Sequence, residues 1–381
     1  MCKPDKDSYM LLGLIPEIGS TTAMRLLRHF GSPAAIFSAT KERLMEVERV
    51  GKKAAESIVK FSKSINISPV KDALANIGGN FICIEDNNYP GLLRSLQDSP
   101  TGLYCMGNAD LNAPMVSIVG SRICTVYGQS VARKFAAAFA RAGLTVVSGM
   151  ARGIDTAAHI GAMEVGGKTI AILGCGVDVI YPPENIDLYK KIIDNGAVLS
   201  EFPLGTRADR QTFPIRNRLI SGISLATIVV ESDTRGGSMI TARLAAEQGR
   251  DVFAIPGRID SPSSRGCHAL IRDGATLAAS PEDVLEALQF SGQLKLSLGD
   301  TCNPSDKAPS GTTVQSELPG NLGDDEFSVL KALDALDDAT ADAISELTKL
   351  PIQKCLAALL MLEIKKLAGK NKNGAWQRRA K

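Results

Sequence analysis

Histidine, tryptophan and aromatic side chains in general are scarce in this chain. Of 381 residues, 3 are His and 1 is Trp, and Phe, Trp and Tyr together make up 5%. The histidines, His29, His159 and His268, stand far apart, and no Ser-His-Asp order is recognisable around them. The 8 cysteines are scattered and form no CxxC pair, which argues against a zinc knuckle or a disulfide framework and for reduced thiols. Neither a bound metal nor a cofactor is expected. No GxxxxGK[ST] phosphate loop occurs, and the run GCGVDV fails the dinucleotide fingerprint because Val179 stands at the third glycine position. No apolar run is long enough to span a membrane, and the opening MCKPDKDSYM is too polar for a signal peptide, so a cytoplasmic protein is expected. Net charge is only +2, so any surface for a polyanion has to be a local patch.

What is present suggests two or three domains of ordinary globular composition, 44% hydrophobic and 22% charged. Residues 1–65 read as an all-α module with a weak internal repeat: IPEIGSTTAMRLL from Ile15 aligns with VERVGKKAAESIV from Val47. Gly19 and Gly51 sit where a tight inter-helix turn would call for a positive φ. This resembles a tandem helix-hairpin-helix, whose helix N-termini can offer N–H groups to phosphate. A plain helical packing domain fits equally well.

Residues 66–290 begin with a lead-in. FICIED reads as a strand, and YPGLLRSLQDSPTGLYCMG reads as loop, broken by Pro90 and Pro100. From Pro114 onward, continuous apolar strands alternate with amphipathic helices: MVSIVG, TVVSG, TIAILG, AVLSE, ATIVVES, DVFAIPG and ATLAAS. That pattern specifies a Rossmann-like, doubly wound parallel sheet covered on both faces. Residues 291–325, rich in Ser, Gly, Pro, Thr and Asp, read as a flexible linker. Residues 326–381 regain helical period and end in NKNGAWQ, which suits the wing of a small winged-helix domain. Its third helix has few basic residues before Lys365 and Lys366, so partner binding is as open as duplex reading.

In an open parallel sheet, ligands bind outside the carboxyl ends of the strands. The loops there carry glycines (Gly120, Gly149, Gly237), serines near helix starts (Ser121, Ser238) and converging arginines. From Gly205 to Gly222 there are four Arg against one Asp, with Phe213 among them. An aromatic ring in a basic loop is an arrangement for stacking a base while neighbours hold the backbone. A ring plugging the core beside a solvated basic face is the bland alternative. A nucleotide-processing enzyme is a second reading, because the fold and the GGS turn suit phosphate. However, RGGSMITA lacks the glutamate that a lonely-guy-type phosphoribohydrolase carries after a comparable turn. A pure interaction scaffold is a third.

The runs IVGSR…YG, VVSGMARGIDTAAH, TIAILGCGVDVIYPPEN, LSEFPLG, FPIRNRLISG, VVES…GGSMITA and VFAIPG resemble the DNA-processing protein A (DprA/Smf) family over Tyr104 to Ala279. The resemblance implies a non-enzymatic, cytoplasmic mediator of natural transformation and recombination. Such a protein binds and protects single-stranded DNA, loads a RecA-type recombinase and forms a homodimer through the Rossmann-like domain. Carried over residue by residue, Arg122 matches a DNA-contacting arginine, Arg210 a basic position before the ring, and Phe213 a base-contacting aromatic. Arg216, Asn217 and Arg218 match an RNR element lining the pocket. Two positions depart: Gly236 stands where many members have Ser, and His268 where many have Asn. The expected site is therefore Gly120, Ser121, Arg122, Gly149, Arg210, Phe213, Arg216, Asn217, Arg218, Gly237 and Ser238. In it, Arg122, Arg210 and Arg218 neutralise phosphates, backbone N–H groups near Ser121 and Gly237 add donors, Phe213 stacks on a base, and Asn217 either reads a base edge or holds its loop.

Overall fold

The computed structural model describes residues 5–290, 292, 328–330, 332–333, 340–364, 368–370 and 376–378. The chain divides into two compact units, Met1–Gly299 and Asp300–Lys381. Five helices open the first: α1 (Lys6–Leu14), α2 (Ser20–Phe30), α3 (Pro33–Ser38), α4 (Lys41–Met45) and α5 (Lys52–Phe61). They close over their own core, which includes Leu12, Leu26, Ile36, Leu44 and Ile58, each fully buried. The sequence repeat is a structural one, because Gly19 and Gly51 cap α2 and α5 with nearly identical extended dihedrals. The left-handed residues of the two turns are Glu17 (φ 69°) and Arg49 (φ 62°), two positions before the glycines. The expectation of a positive φ at Gly19 and Gly51 is therefore corrected: they are N-caps at φ −82° and −83°.

Helix α6 (Ser68–Asn76) leads to β1 (Asn80–Cys83), α7 (Gly91–Arg94) and β2 (Gly102–Gly107). Strand β2 falls in the segment expected to be loop. It pairs antiparallel with β1 on one side and with β6 (Ala197–Ser200) on the other. The remaining strands are β3 (Met115–Val119), β4 (Thr145–Ser148), β5 (Thr169–Ile172), β7 (Ala226–Val229), β8 (Asp251–Ala254) and β9 (Thr276–Leu277). Together they form one sheet in the order β1-β2-β6-β5-β4-β3-β7-β8-β9, parallel from β6 to β9. The chain winds outward from β3 to β6 and then returns to lay β7 against the free side of β3. The topological switch point therefore lies between β3 and β7, where a ligand crevice is expected.

Strands β2 to β7 are buried on both faces, and side-chain alternation sorts them. Met115, Val119, Ile170, Ile172 and Leu199 face α11 (Thr212–Gly222), α12 (Gly237–Glu247) and α13 (Arg265–Arg272). Val116, Ile118, Val146 and Ile228 face α8 (Val126–Arg141), α9 (Ile154–Glu164) and α14 (Pro281–Phe290). On that same face, Ala171, Leu173 and Val198 meet α10 (Ile186–Asn195).

His159 on α9 is fully buried. The Thr169 hydroxyl donates to the Val146 carbonyl (2.8 Å), so it must accept from His159 Nδ1–H (2.7 Å), which fixes the neutral tautomer. Burial, with the Arg216 cation adding to it, pushes the imidazole down to about 3 from 6.5. The unfolded chain thus takes up a proton that the folded chain refuses. Stability held above pH 6.5 should fall as the pH drops toward 3, at up to ~1.4 kcal/mol per pH unit. Burial pushes Asp155 and Glu201 upward, and these carboxyls act in the opposite sense. Thermal unfolding from pH 7 to 4 should therefore be compared between the natural chain and His159→Gln. The variant should lose less, and parallel curves would count against this role.

The second unit has its own core around Val329, Leu333, Ile344, Cys355, Leu359, Leu362 and Trp376. It comprises helical residues 328–330 and 332–333, α15 (Ala341–Thr348), α16 (Ile352–Ile364) and an antiparallel hairpin of β10 (Ala368–Lys370) and β11 (Trp376–Arg378). A helix pair followed by a hairpin is winged-helix architecture. Lys365, Lys366 and, apart from Gly292, the expected linker at 291–325 lie outside the described residues. Among the described residues, no helix is long and apolar enough to cross a membrane.

Candidate nucleic-acid interface

A cleft opens at the carboxyl ends of β3, β4 and β5. It is lined by Arg122, Gly149, Ala151, Arg152, Leu173, Gly174, Cys175, Tyr181, Pro182, Phe213 and Arg216. Phe213 lies in the first turn of α11, not on a loop, and its ring is half-buried over Gly174. The exposed Arg122 guanidinium rests on that ring at 4.8 Å, and Tyr181 approaches it at 5.5 Å between centroids. A cation over an aromatic face is attractive, and a planar guanidinium can itself stack on a base.

Arg216 forms the floor. It is 4% exposed and donates to the carbonyls of Gly149 (2.8 Å) and Ile172 and to Asn217 Oδ1 (3.2 Å). It therefore ties together the ends of β4 and β5. A Cβ at position 149 would lie 2.3 Å from a terminal nitrogen of this guanidinium, so any other residue there would displace Arg216 from its carbonyl partners. Burial pushes Arg216 down to about 10; Asp155 pulls it back up and Arg122 presses it further down. At neutral pH the floor thus keeps a positive charge, with its Nε and Nη1 donors engaged within the protein.

The loop after β4 is strained and firmly held. Buried Met150 has φ 54°, an unfavourable conformation for a non-glycine residue. Asp155 accepts from the N–H groups of Gly149 (3.1 Å) and Ala151 (3.3 Å) on either side, and Asn185 donates to the Met150 carbonyl (2.9 Å). Gly153, at φ 76°, lets this loop close on the Ser121 and Arg122 carbonyls. The loop after β3 is anchored by Glu231, whose carboxylate accepts from the Thr125 N–H (2.9 Å) and hydroxyl (2.5 Å).

The expected residues separate accordingly. Arg122, Gly149, Phe213 and Arg216 line the cleft. Gly120 packs against Ile154 and the Glu231 carbonyl. Ser121 is corrected as a donor: its N–H is spent on Glu231 O (2.7 Å) and its hydroxyl on Ile123 O (2.7 Å). Arg210 is exposed on the turn before α11. Asn217 holds its surroundings, accepting from Arg216 and donating at 3.5 Å to Gly237 O. Gly237 is exposed at the start of α12, beyond the switch point, and Ser238 is buried with its hydroxyl on Ser232 (2.8 Å).

Arg218 is corrected most. It lies on the opposite flank of α11, 8% exposed at its side chain, paired with Glu201 and Asp98 and bonded to the Ser20 hydroxyl (3.1 Å) at the start of α2. Its charge anchors the N-terminal helices to the sheet rather than meeting a phosphate in the cleft. Seven lining residues fall outside the expected site, and Tyr181 and Arg152 among them carry a ring and a charge suited to a nucleic acid. Tyr181 and Arg152 were both legible in principle, because they stand on loops that follow parallel strands. Arg152 pairs at the rim with Glu184. Among the described residues, no group of three or more His, Cys, Asp or Glu is placed to hold a metal ion.

A family profile described as DNA recombination-mediator protein A matches residues 80–289. A SAM-like helix-hairpin-helix tandem matches 9–64, and a DprA winged helix domain matches 315–369. Protein Smf of Synechocystis sp. is 33% identical over 400 residues, covering 100% of both chains. The X-ray structure of DNA processing protein A from Streptococcus pneumoniae superposes with a TM-score of 0.66 at 35% identity, covering 73% of this chain and 97% of that one. DNA processing protein A from Helicobacter pylori, described for its single-stranded DNA binding mode, superposes with a TM-score of 0.51 at 30% identity, covering 56% and 96%.

Proposed function

Because the chain belongs to the DNA recombination-mediator protein A family, we propose that the cleft at the ends of β3–β5 grips single-stranded DNA during transformation and recombination. The observation that carries this reading is the cluster of Tyr181, Phe213 and Arg122 in one cleft with the buried Arg216 cation. The aromatic pair offers a face to an unpaired base, Arg122 a charge to the adjoining phosphate, and Arg216 a fixed positive potential beneath both. Binding suits the acidic groups better than turnover does. Asp155 and Glu231 both spend their oxygens on the protein's own N–H and O–H groups, and Glu184 is paired with Arg152. The relative from Helicobacter pylori, with its single-stranded DNA binding mode, supports the same ligand class.

The remaining family expectations complete the proposal. The protein acts in the cytoplasm, protects the strand it holds, forms a homodimer through the sheet domain and delivers the strand to a RecA-type recombinase. Two cleft copies in a dimer would let one strand bridge both and raise avidity. The test is salt dependence. Affinity for oligo-dT should fall linearly on a log–log plot, with a slope of about −0.7 per phosphate neutralised. Arg122→Ala should flatten the slope by about one such step, and duplex of the same length should bind more weakly. A slope unchanged in Arg122→Ala would remove that residue from the phosphate contacts.

A further inference from the structure

Immediately beyond Arg122 the chain exposes three large apolar side chains within five residues: Ile123 (91%), Val126 (84%) and Tyr127 (58%). They do not ride on a loose loop. Ser121 Oγ accepts from the Ile123 N–H (3.1 Å), Thr125 is clamped by the Glu231 carboxylate, and the Thr125 hydroxyl caps Gly128 N–H (3.0 Å) at the start of α8. A rigid segment that holds apolar groups out into water, when Val and Ile are residues normally buried, marks a contact surface.

We propose that Tyr127, flanked by Ile123 and Val126, is a second base-stacking platform, receiving a nucleotide neighbouring the one on Phe213. The inference rests on the cleft being a single-stranded DNA site. Three observations favour a nucleic acid strand as the occupant. The patch is continuous in sequence with Arg122, whose guanidinium lies on the Phe213 ring at 4.8 Å. Residues 120–131 contain one arginine and no acid, and the nearby Glu231 is buried and engaged. An exposed second ring five residues from that arginine suits a strand, which presents bases and phosphates in turn.

The test uses the full chain, a fluorescent dT oligonucleotide, an abasic strand of equal length and a short oligonucleotide filling only the Phe213 cleft. Tyr127→Ala should weaken the long dT strand about tenfold, within the range for one lost base stack. It should leave the abasic and short strands unchanged, and Tyr127→Trp should restore binding. Wild-type affinity of Tyr127→Ala for the long strand overturns the platform, even if Phe213→Ala still binds poorly and the cleft assignment stands. Loss of self-association in Tyr127→Ala with intact DNA affinity also overturns it, making the patch a protein interface. Wild-type binding by Phe213→Ala and Arg122→Ala would instead reject the cleft reading.

Discussion

Arg218→Ala is expected to lower stability by about 3–5 kcal/mol, the usual cost of stripping one partner from a buried ion pair. The pair is well enclosed: the Arg218 and Glu201 side chains are 8% and 7% exposed. Glu201 Oε1 has no hydrogen-bond partner, so Arg218 and the Ser20 hydroxyl (3.1 Å) supply all the compensation its carboxylate receives. Burial already pushes the Glu201 carboxyl up, and Arg218 is the main force pulling it back. Without Arg218 the Glu201 carboxyl is pushed further up and takes a proton more readily, so the penalty should be smaller at pH 5 than at pH 8. Glu201→Leu combined with Arg218→Met should recover most of the loss, because no charge is then left stranded. Urea unfolding at the two pH values measures this. A deficit below about 1 kcal/mol, typical of an exposed pair, would contradict the anchoring role.

Legibility in the sequence followed the range of the interactions involved. The parallel strands were readable because each is a short run of β-branched and apolar residues bounded by turn formers, and α10 lies at Ile186–Asn195, where its period places it. Strand β2 was not readable. GLYCMG sits among Pro and Gly residues, and what makes it a strand is pairing with Val198 and Leu199, more than ninety positions away. Arg122 and Phe213 were legible through the rule that strand-end loops carry the ligand. The two other arginines of FPIRNR were not separable by that rule, since a guanidinium reads alike whether it faces water or a carbonyl. Their fates are set by Gly149, 67 residues from Arg216, and by Glu201, 17 residues from Arg218 on the other flank of the helix. The glycines of the N-terminal repeat misled for the opposite reason. Gly19 and Gly51 have open space around them and ordinary dihedrals, while Glu17 and Arg49 take the left-handed turn.

Phe213→Ala and Arg122→Ala are each expected to weaken single-strand binding about 10- to 100-fold. A base stacked on an aromatic ring is worth ~1–3 kcal/mol, and a charge-assisted phosphate contact is of similar size. Neither change should unfold the chain, because Arg122 is exposed and Phe213 is only half-buried. The losses should not add. Arg122 rests on the Phe213 ring at 4.8 Å, so removing either group also frees or displaces the other, and the double variant should fall short of the product.

The deciding measurement is an anisotropy titration of labelled oligo-dT, at one fixed salt concentration, against the natural chain, both single variants and the double. The cleft account predicts two weakened singles and a double weaker than either by less than their combined factors, with unfolding midpoints unchanged. Natural-strength binding by both singles would place the strand elsewhere on the molecule and contradict it.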